Sequence, residues 1–239
     1  MSLMGGIGHD TEEHYHGKVL DLLIPLLSSE AATSSNEALL ATTVILRMSE
    51  QFSEVGNDCQ RHLKGAAPLF MDGTDWSGIE INLATACFWT HHRESIRMSF
   101  LREQSFGFDF SHLSLLQDDM SLAASSEEVW TNRMTLLLLE IIKACWDEDG
   151  EGRPADHARL RTILQLWRAH LPLAFQPWCV RDSDTSPFPL IRCLSSWHIV
   201  AWQFYHTARV MLAVYAPEVS SRDMHRMREY MEVANTTTP

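Results

Sequence analysis

The sequence predicts an all-α protein, an irregular multi-helix bundle of about eight helices around a buried C-terminal helix. In one segment after another, apolar residues recur at three- and four-residue steps, which is the helical period. No stretch shows the alternation of a half-buried strand, and no internal repeat is present. The hydrophobic content of 45% in a chain of 239 residues is enough to bury a core.

The first half of the chain predicts four helices. In the first, Pro25 should bend or shorten the last turn, because a proline removes a helical hydrogen bond. Asn36 or Ser35 is the expected N-cap of the second. In the third, the run Gly65-Ala66-Ala67 gives a smooth face that would allow a close helix–helix approach. The predicted spans are about 12–27, 37–52, 59–70 and 80–104.

The second half predicts four more. Glu127 and Glu128 open a helix through Trp146, since acidic residues in a first turn suit the helix dipole. Residues 106–126 have no sustained period and form an irregular connection, and 171–189 hold four prolines and are extended. The remaining predicted helices span about 154–170, 196–217 and 220–233.

The segment 196–217 is the longest apolar and aromatic run, and its surroundings are expected to cover it nearly all round. One helical stripe is apolar, and the opposite stripe carries His198, Trp202, Tyr205 and Arg209, with His206 beside it. Pro217 should end the helix, since the residue before a proline avoids the α region.

These elements predict one helical domain over 12–234, with an acidic linker near 147–154 inside it. Residues 1–11 are expected to be a mobile N-terminal tail, and 235–239 a frayed C-terminus.

The composition excludes several function classes. The formal net charge is −12 and the chain has only three lysines, which argues against direct nucleic-acid binding. The five cysteines are widely spaced without a C-x-x-C, so reduced thiols in an intracellular protein are expected, without a metal site. No secretory signal or membrane span is visible, so no membrane partner is expected.

The order of several segments resembles a known family. The blocks are LLIPLLS, LLATTVILRMSEQF, HLKGAAPLF, ACFWTHHRESIRMSF, VWTNRMTLLLLEIIKACW, LPLAFQPW and SWHIVAWQFYHTARVMLAVYAP. From about Tyr15 to about Tyr230 they resemble the fungal-specific transcription factor domain, the regulatory region that accompanies Zn(II)2Cys6 DNA-binding clusters. No single motif is diagnostic.

The resemblance implies an all-helical regulatory domain in the nucleus, which responds to a small apolar effector or to a protein partner. The family's six-cysteine cluster and its basic residues are not in this sequence. DNA binding is therefore not carried over, and the expected role is to modulate transcription without contacting DNA.

Three polar clusters are weaker candidates for sites. His9, His14 and His16 lie among acidic residues, but a solvated N-terminal arm is favoured over a metal site. Asp118-Asp119 is similar to part of the magnesium motif of class I terpene synthases, but lacks further carboxylates one turn on. His91 and His92 are adjacent on a helix, so they point about 100° apart and only one is expected to face inward.

The candidate ligand pocket is built on the 196–217 helix. Trp202 is four residues from both His198 and His206, so the three share a face, and an aromatic wall with a few polar tips is typical of ligand pockets. Core residues satisfied by neighbouring helices are the competing interpretation. The candidate residues are Trp89, His92, His198, Trp202, Tyr205 and His206.

Two other function classes stay open. A member of the family could have become a small-molecule biosynthetic enzyme of cyclase type, with an apolar aromatic cavity; eight tryptophans favour this. It could instead be an interaction module that forms a homodimer through an apolar helix face. No catalytic residue is assigned, because no nucleophile, P-loop, Rossmann or zinc-protease motif is present, and no cofactor is expected.

Overall fold

Helices dominate the part of the chain that the computed structural model describes, and the all-α class is confirmed. The described residues are 9–27, 36–53, 60–70, 76, 82–105, 126–146, 154–182 and 187–216. Their α-helices are α1 (His9–Leu27), α2 (Glu37–Ser53), α3 (Arg61–Phe70), α4 (Leu83–Arg102), α5 (Glu127–Trp146), α6 (Pro154–His170) and α7 (Ser196–Val214).

Several predictions fall outside these residues. They are the connection at 106–125, most of the acidic linker, the Asp118-Asp119 pair, the helix at 220–233, the C-terminus at 235–239 and residues 1–8 of the N-terminal tail. Residues 9–11 of that tail lie in α1, together with His14 and His16. None of the described helices combines the length and the apolar character that crossing a bilayer requires.

The chain divides into two compact units, Met1–Ser95 (the first unit) and Ile96–Pro239 (the second unit), and each is described by itself. Helix α4 contributes its N-terminal part to the first and its last turns to the second. The single domain over 12–234 stays a prediction.

Asparagine and serine caps fix the starts of three helices. The Asn36 side chain accepts a hydrogen bond from the Leu39 amide at 3.1 Å, which confirms the cap predicted for α2. Asn82 accepts from the Thr85 amide at 2.8 Å, and the Thr85 hydroxyl accepts from the Asn82 amide at 3.1 Å, a reciprocal capping box. Ser195 accepts from the Trp197 amide and starts α7.

In the first unit, α2 packs against α3, and a buried charge cluster on α2 reaches Glu94 of α4. Arg47 on α2 is 4% exposed and donates to Glu94 through Nη2 at 2.7 Å and Nε at 3.1 Å. Its Nη1 donates to Glu50 Oε2 at 3.2 Å. These charged hydrogen bonds offset the cost of removing the guanidinium from water.

Glu50, which lies on α2, also caps the N-terminus of α3. Its carboxylate accepts from the amides of Arg61 at 2.8 Å and His62 at 3.3 Å, at the end where a helix leaves amides unpaired. Glu50 is itself 5% exposed. In the run Gly65-Ala66-Ala67, Ala66 is buried, whereas a Cβ added at Gly65 would meet nothing within 4 Å among the described residues, so Gly65 itself makes no close approach to them.

The second unit is organised around α5. Thirteen of its residues between Val129 and Ile142 are buried, and it packs against α7 and α6. A Thr131 hydroxyl donates to the Trp197 carbonyl at 3.1 Å and joins α5 to α7.

Helix α7 is less enclosed than its apolar run predicted. Its buried residues are His198, Ala201, Ala208, Met211 and Leu212. Ile199 and Val210, by contrast, are 47% and 59% exposed. Within the described residues, the most enclosed helix is therefore α5, and α7 covers one side of it.

The stretch between α6 and α7 contains a hairpin that periodicity did not predict. After a 3-10 turn at Leu173–Phe175, β1 (Cys179–Arg181) pairs antiparallel with β2 (Leu190–Arg192), and Val180 lies opposite Ile191. Both strands are largely exposed, so they lack the alternation by which half-buried strands are recognised.

Candidate functional site

The six predicted pocket residues fall into two groups. Trp89 and His92 lie on α4 in the first unit. His198, Trp202, Tyr205 and His206 lie on α7 in the second unit.

Trp89 and His92 are core residues of the first unit. Trp89 is 8% exposed and meets the Phe88 ring edge-to-face at 4.8 Å. His92 is fully buried, and its Nδ1 lies 2.8 Å from the Phe88 carbonyl oxygen, so the Nδ1–H tautomer donates. Burial lowers the pKa of His92 to about 4, so the ring is neutral at pH 7.

The expectation that only one of the two adjacent histidines faces inward is wrong. His91 is 4% exposed and its ring lies 4.6 Å from that of Phe70. The two imidazoles are 5.3 Å apart, and both have rings near Phe70. Burial also lowers the pKa of His91 well below its ordinary value, so the pair avoids charge repulsion by staying neutral.

His198 forms the buried end of the α7 group. Its ring packs on Phe175 of the 3-10 turn at 4.3 Å. Nε2 lies 3.1 Å from Glu127 Oε2, but the two atoms are not aligned for a hydrogen bond. Nδ1 has no hydrogen-bond partner among the residues that the structure describes.

Trp202 is half-buried and fixed at its polar tip. Its Nε1 donates to the Phe175 carbonyl at 2.8 Å, which ties α7 to the 3-10 turn. The Arg168 guanidinium of α6 lies 4.9 Å from the centre of the Trp202 ring, within cation–π range. The His206 ring stacks on the same indole at 5.7 Å with 24° between planes.

Tyr205 packs against the core of the second unit. Its ring stacks on Trp167 at 5.7 Å with 24° between the planes. Trp167 in turn donates through Nε1 to the Trp130 carbonyl of α5 at 3.0 Å. Arg209 lies 5.8 Å from the centre of the Tyr205 ring. The Tyr205 ring is therefore packed on the core through Trp167 and has the Arg209 guanidinium as a second neighbour.

We call this surface the aromatic platform; its members are Trp202, Tyr205, His206, Arg168 and Arg209. It joins three of the predicted residues, while His198 lies at the buried end of the same helix, against the Phe175 ring. Sequence reasoning missed Arg168, because only packing of α6 on α7 brings it to Trp202. Arg209 was visible in the stripe but was not chosen as a site residue.

Electrostatics distinguish the platform from the core. The pKa of His206 is lowered, first by burial and then by the positive charges of Arg209 and Arg168. The imidazole is exposed and largely neutral at pH 7, so it offers a flat ring rather than a charge. The two guanidiniums supply the charge.

Comparison with known proteins gives no relative from which a role could be transferred. No family model, characterised protein or solved structure matches this chain. The site is therefore argued from its own residues.

Two of the described cysteines are not activated as nucleophiles. Burial raises the pKa of the Cys145 thiol to about 12 and raises that of Cys87 as well, so neither is a thiolate at neutral pH. Among the described residues, no group of three His, Cys, Asp or Glu side chains is placed to hold a metal ion. The platform instead presents rings and cations.

Proposed function

We propose that this chain is an effector-binding regulatory domain of the type that fungal-specific transcription factors carry, acting in the nucleus without binding DNA itself. The order of sequence blocks supports the family, and the aromatic platform supports the effector. A half-buried indole, anchored by a hydrogen bond and flanked by exposed polar groups, is a surface prepared for a ring-bearing molecule. The anchored Trp202 is the observation that carries the proposal.

The platform also offers a mechanism of control. Its parts come from three segments: Trp202 from α7, Arg168 from α6, and the Phe175 carbonyl from the 3-10 turn. A molecule that stacks on the platform contacts these segments together and stabilises the arrangement in which they meet. By thermodynamic linkage, binding of the molecule increases the population of that arrangement. Any protein surface that depends on this arrangement then changes with it.

Thermal unfolding across a metabolite panel tests effector binding. We expect at least one planar compound to raise the Tm of the wild-type chain, and Trp202→Ala and His206→Ala to reduce the increase. Trp178→Ala is the matched control, because Trp178 is also an indole beside an arginine, Arg192, but it directly precedes β1 and is not part of the platform. An equal loss of the shift in the control, or no shift from any compound, contradicts the proposal.

A reporter assay tests the regulatory role. The chain is fused to an unrelated DNA-binding domain, and transcription is measured with and without the compound found above. We expect the compound to change reporter output in the wild-type fusion and not in the Trp202→Ala fusion. If reporter output is unchanged although the compound binds, the chain is a binding domain without a transcriptional role.

Self-association is a second candidate function, favoured by one observation. Large apolar side chains are exposed on the hairpin and on the segments next to it in sequence, and exposed apolar surface is typical of interfaces. They are Leu173, Trp178, Val180, Phe188, Leu190, Ile191, Leu194 and Ile199. Light scattering over a hundredfold concentration range should show a dimer that Val180→Lys removes, whereas a monomer at every concentration excludes this candidate.

A further inference from the structure

The two arginines of the platform, Arg168 and Arg209, differ in their surroundings from the arginines that form ion pairs. Arg47, Arg61 and Arg159 each have a carboxylate partner within 4 Å. Among the residues that the structure describes, Arg168 and Arg209 have none, and their close contacts are the faces of Trp202 and Tyr205. Each of these two guanidiniums therefore places a positive charge over an aromatic ring, without an acidic partner among the described residues.

This charge is unusual for the molecule as a whole. The chain has a formal net charge of −12, so an exposed cationic surface runs against the average field. Both guanidiniums act on the same imidazole, since both lower the pKa of His206. The rings over which they lie, those of Trp202 and Tyr205, have centroids 5.6 Å apart, so the two positive charges act on the same part of α7.

We propose that the aromatic platform binds a planar organic acid, whose ring packs against Trp202, Tyr205 and His206 and whose carboxylate is bound by Arg168 and Arg209. This inference rests on the effector-binding function proposed above and narrows the effector to one chemical class. It replaces the small apolar effector that the resemblance implies with an acid, because an apolar molecule would leave both guanidiniums without an anionic partner. A guanidinium presents its N–H groups in a fork that matches a carboxylate, and it remains charged at all relevant pH values.

Matched probes separate the ring from the charge. The ligands 2-naphthoate and 2-naphthamide have the same ring and differ in charge, and cyclohexanecarboxylate has the charge without the planar ring. Binding to the full chain is measured by ligand-observed NMR and calorimetry at low and high salt. We expect 2-naphthoate to bind about tenfold more tightly than either of the others, and salt to weaken its binding selectively.

Arginine variants locate the charge. Arg168→Gln and Arg209→Gln should each weaken 2-naphthoate about tenfold and leave 2-naphthamide unchanged, because the amide has no charge to pair. Arg161→Gln is the control: it removes one exposed positive charge from the same helix, two turns before Arg168. The circular dichroism spectrum of each variant should match that of the wild type.

The outcomes distinguish this inference from the function on which it rests. Equal affinity for the acid and the amide, an equal effect of Arg161→Gln, or no binding of 2-naphthoate overturns the planar-acid class. If Trp202→Ala nevertheless abolishes binding of the amide, the platform still binds effectors and only the charge argument fails. If no probe or panel compound depends on Trp202, the effector function fails as well.

Discussion

The charged residues of α2 and those of the aromatic platform lie in opposite environments. In the first unit, Arg47 and Glu50 are buried and each is used up in contacts with other protein groups. In the second unit, Arg168 and Arg209 lie over aromatic rings at the surface and have no acidic partner among the described residues. Buried charge must be compensated internally, because desolvation is costly, whereas surface charge can await a ligand. The contrast separates residues that hold the fold from residues free to bind.

The largest expected effect is at Glu50. Glu50→Ala leaves buried Arg47 with one partner fewer and uncaps α3, so we expect a loss of about 3–5 kcal/mol in the free energy of unfolding. Urea denaturation measures the loss, and hydrogen exchange by mass spectrometry assigns it to the first unit. The control Glu37→Ala, an exposed carboxylate at the start of α2, should cost less than about 1 kcal/mol. Similar losses in both variants would remove the contrast.

Acid should weaken the first unit through His92. Its pKa is about 4 when folded and 6.5 ordinarily, so between these values the unfolded chain takes up a proton that the folded chain refuses. Stability is therefore complete above pH 6.5 and falls toward pH 4, by about 3 kcal/mol for this residue.

A matched pair of variants checks the pH effect. His92→Asn should make the unfolding free energy less dependent on pH in that window. His170→Asn is the matched substitution at an exposed histidine, whose Nδ1 makes the same contact with the carbonyl four residues earlier. An unchanged pH profile in His92→Asn would mean that His92 is not the group responsible.

A smaller effect is expected at Trp202. Trp202→Phe keeps a ring on the platform but removes the donor to the Phe175 carbonyl, which should cost about 1 kcal/mol. Trp178→Phe, on the exposed hairpin, should change the unfolding free energy by less than about 0.5 kcal/mol. Equal costs would show that the hydrogen bond does not anchor the platform.

The smallest effect tests the comparison directly. Arg168→Gln should change the free energy of unfolding by less than about 0.5 kcal/mol, because among the described residues this arginine contacts the half-buried Trp202 ring and no carboxylate. Arg47→Gln, the same substitution in the first unit, should cost several times more. If Arg168→Gln is as damaging as Arg47→Gln, the platform arginine is structural.

Local signals in the sequence predicted the helices but not which of them is most deeply buried. The acidic start at Glu127 and Glu128 placed α5 correctly, and an asparagine cap placed α2. Periodicity could not show that α5 is more enclosed than α7, because an apolar run does not reveal how many neighbours cover it. The hairpin at 179–192 was missed because its exposed strands follow no burial pattern.

The site was predictable only along one helix. Helical spacing alone is enough to put Trp202, Tyr205 and His206 on one surface of α7. Arg168 comes from α6, and no rule of local spacing links residues 34 positions apart in sequence. Burial is also a tertiary property, so the sequence could not exclude Trp89 and His92 as surface-facing wall residues, although they are core residues of the first unit.

The carboxylate of Glu50 also has a consequence for the order of folding. Helix α3 has only ten residues and contains Gly65 and Pro68, so it is too short and too poor in helix formers to persist alone. Its first amides find their acceptor only after α2 has placed Glu50 beside them. We therefore expect a peptide of residues 60–70 to show no helical circular dichroism. In the intact chain, α3 should form late, and Glu50→Gln should speed unfolding more than it slows refolding.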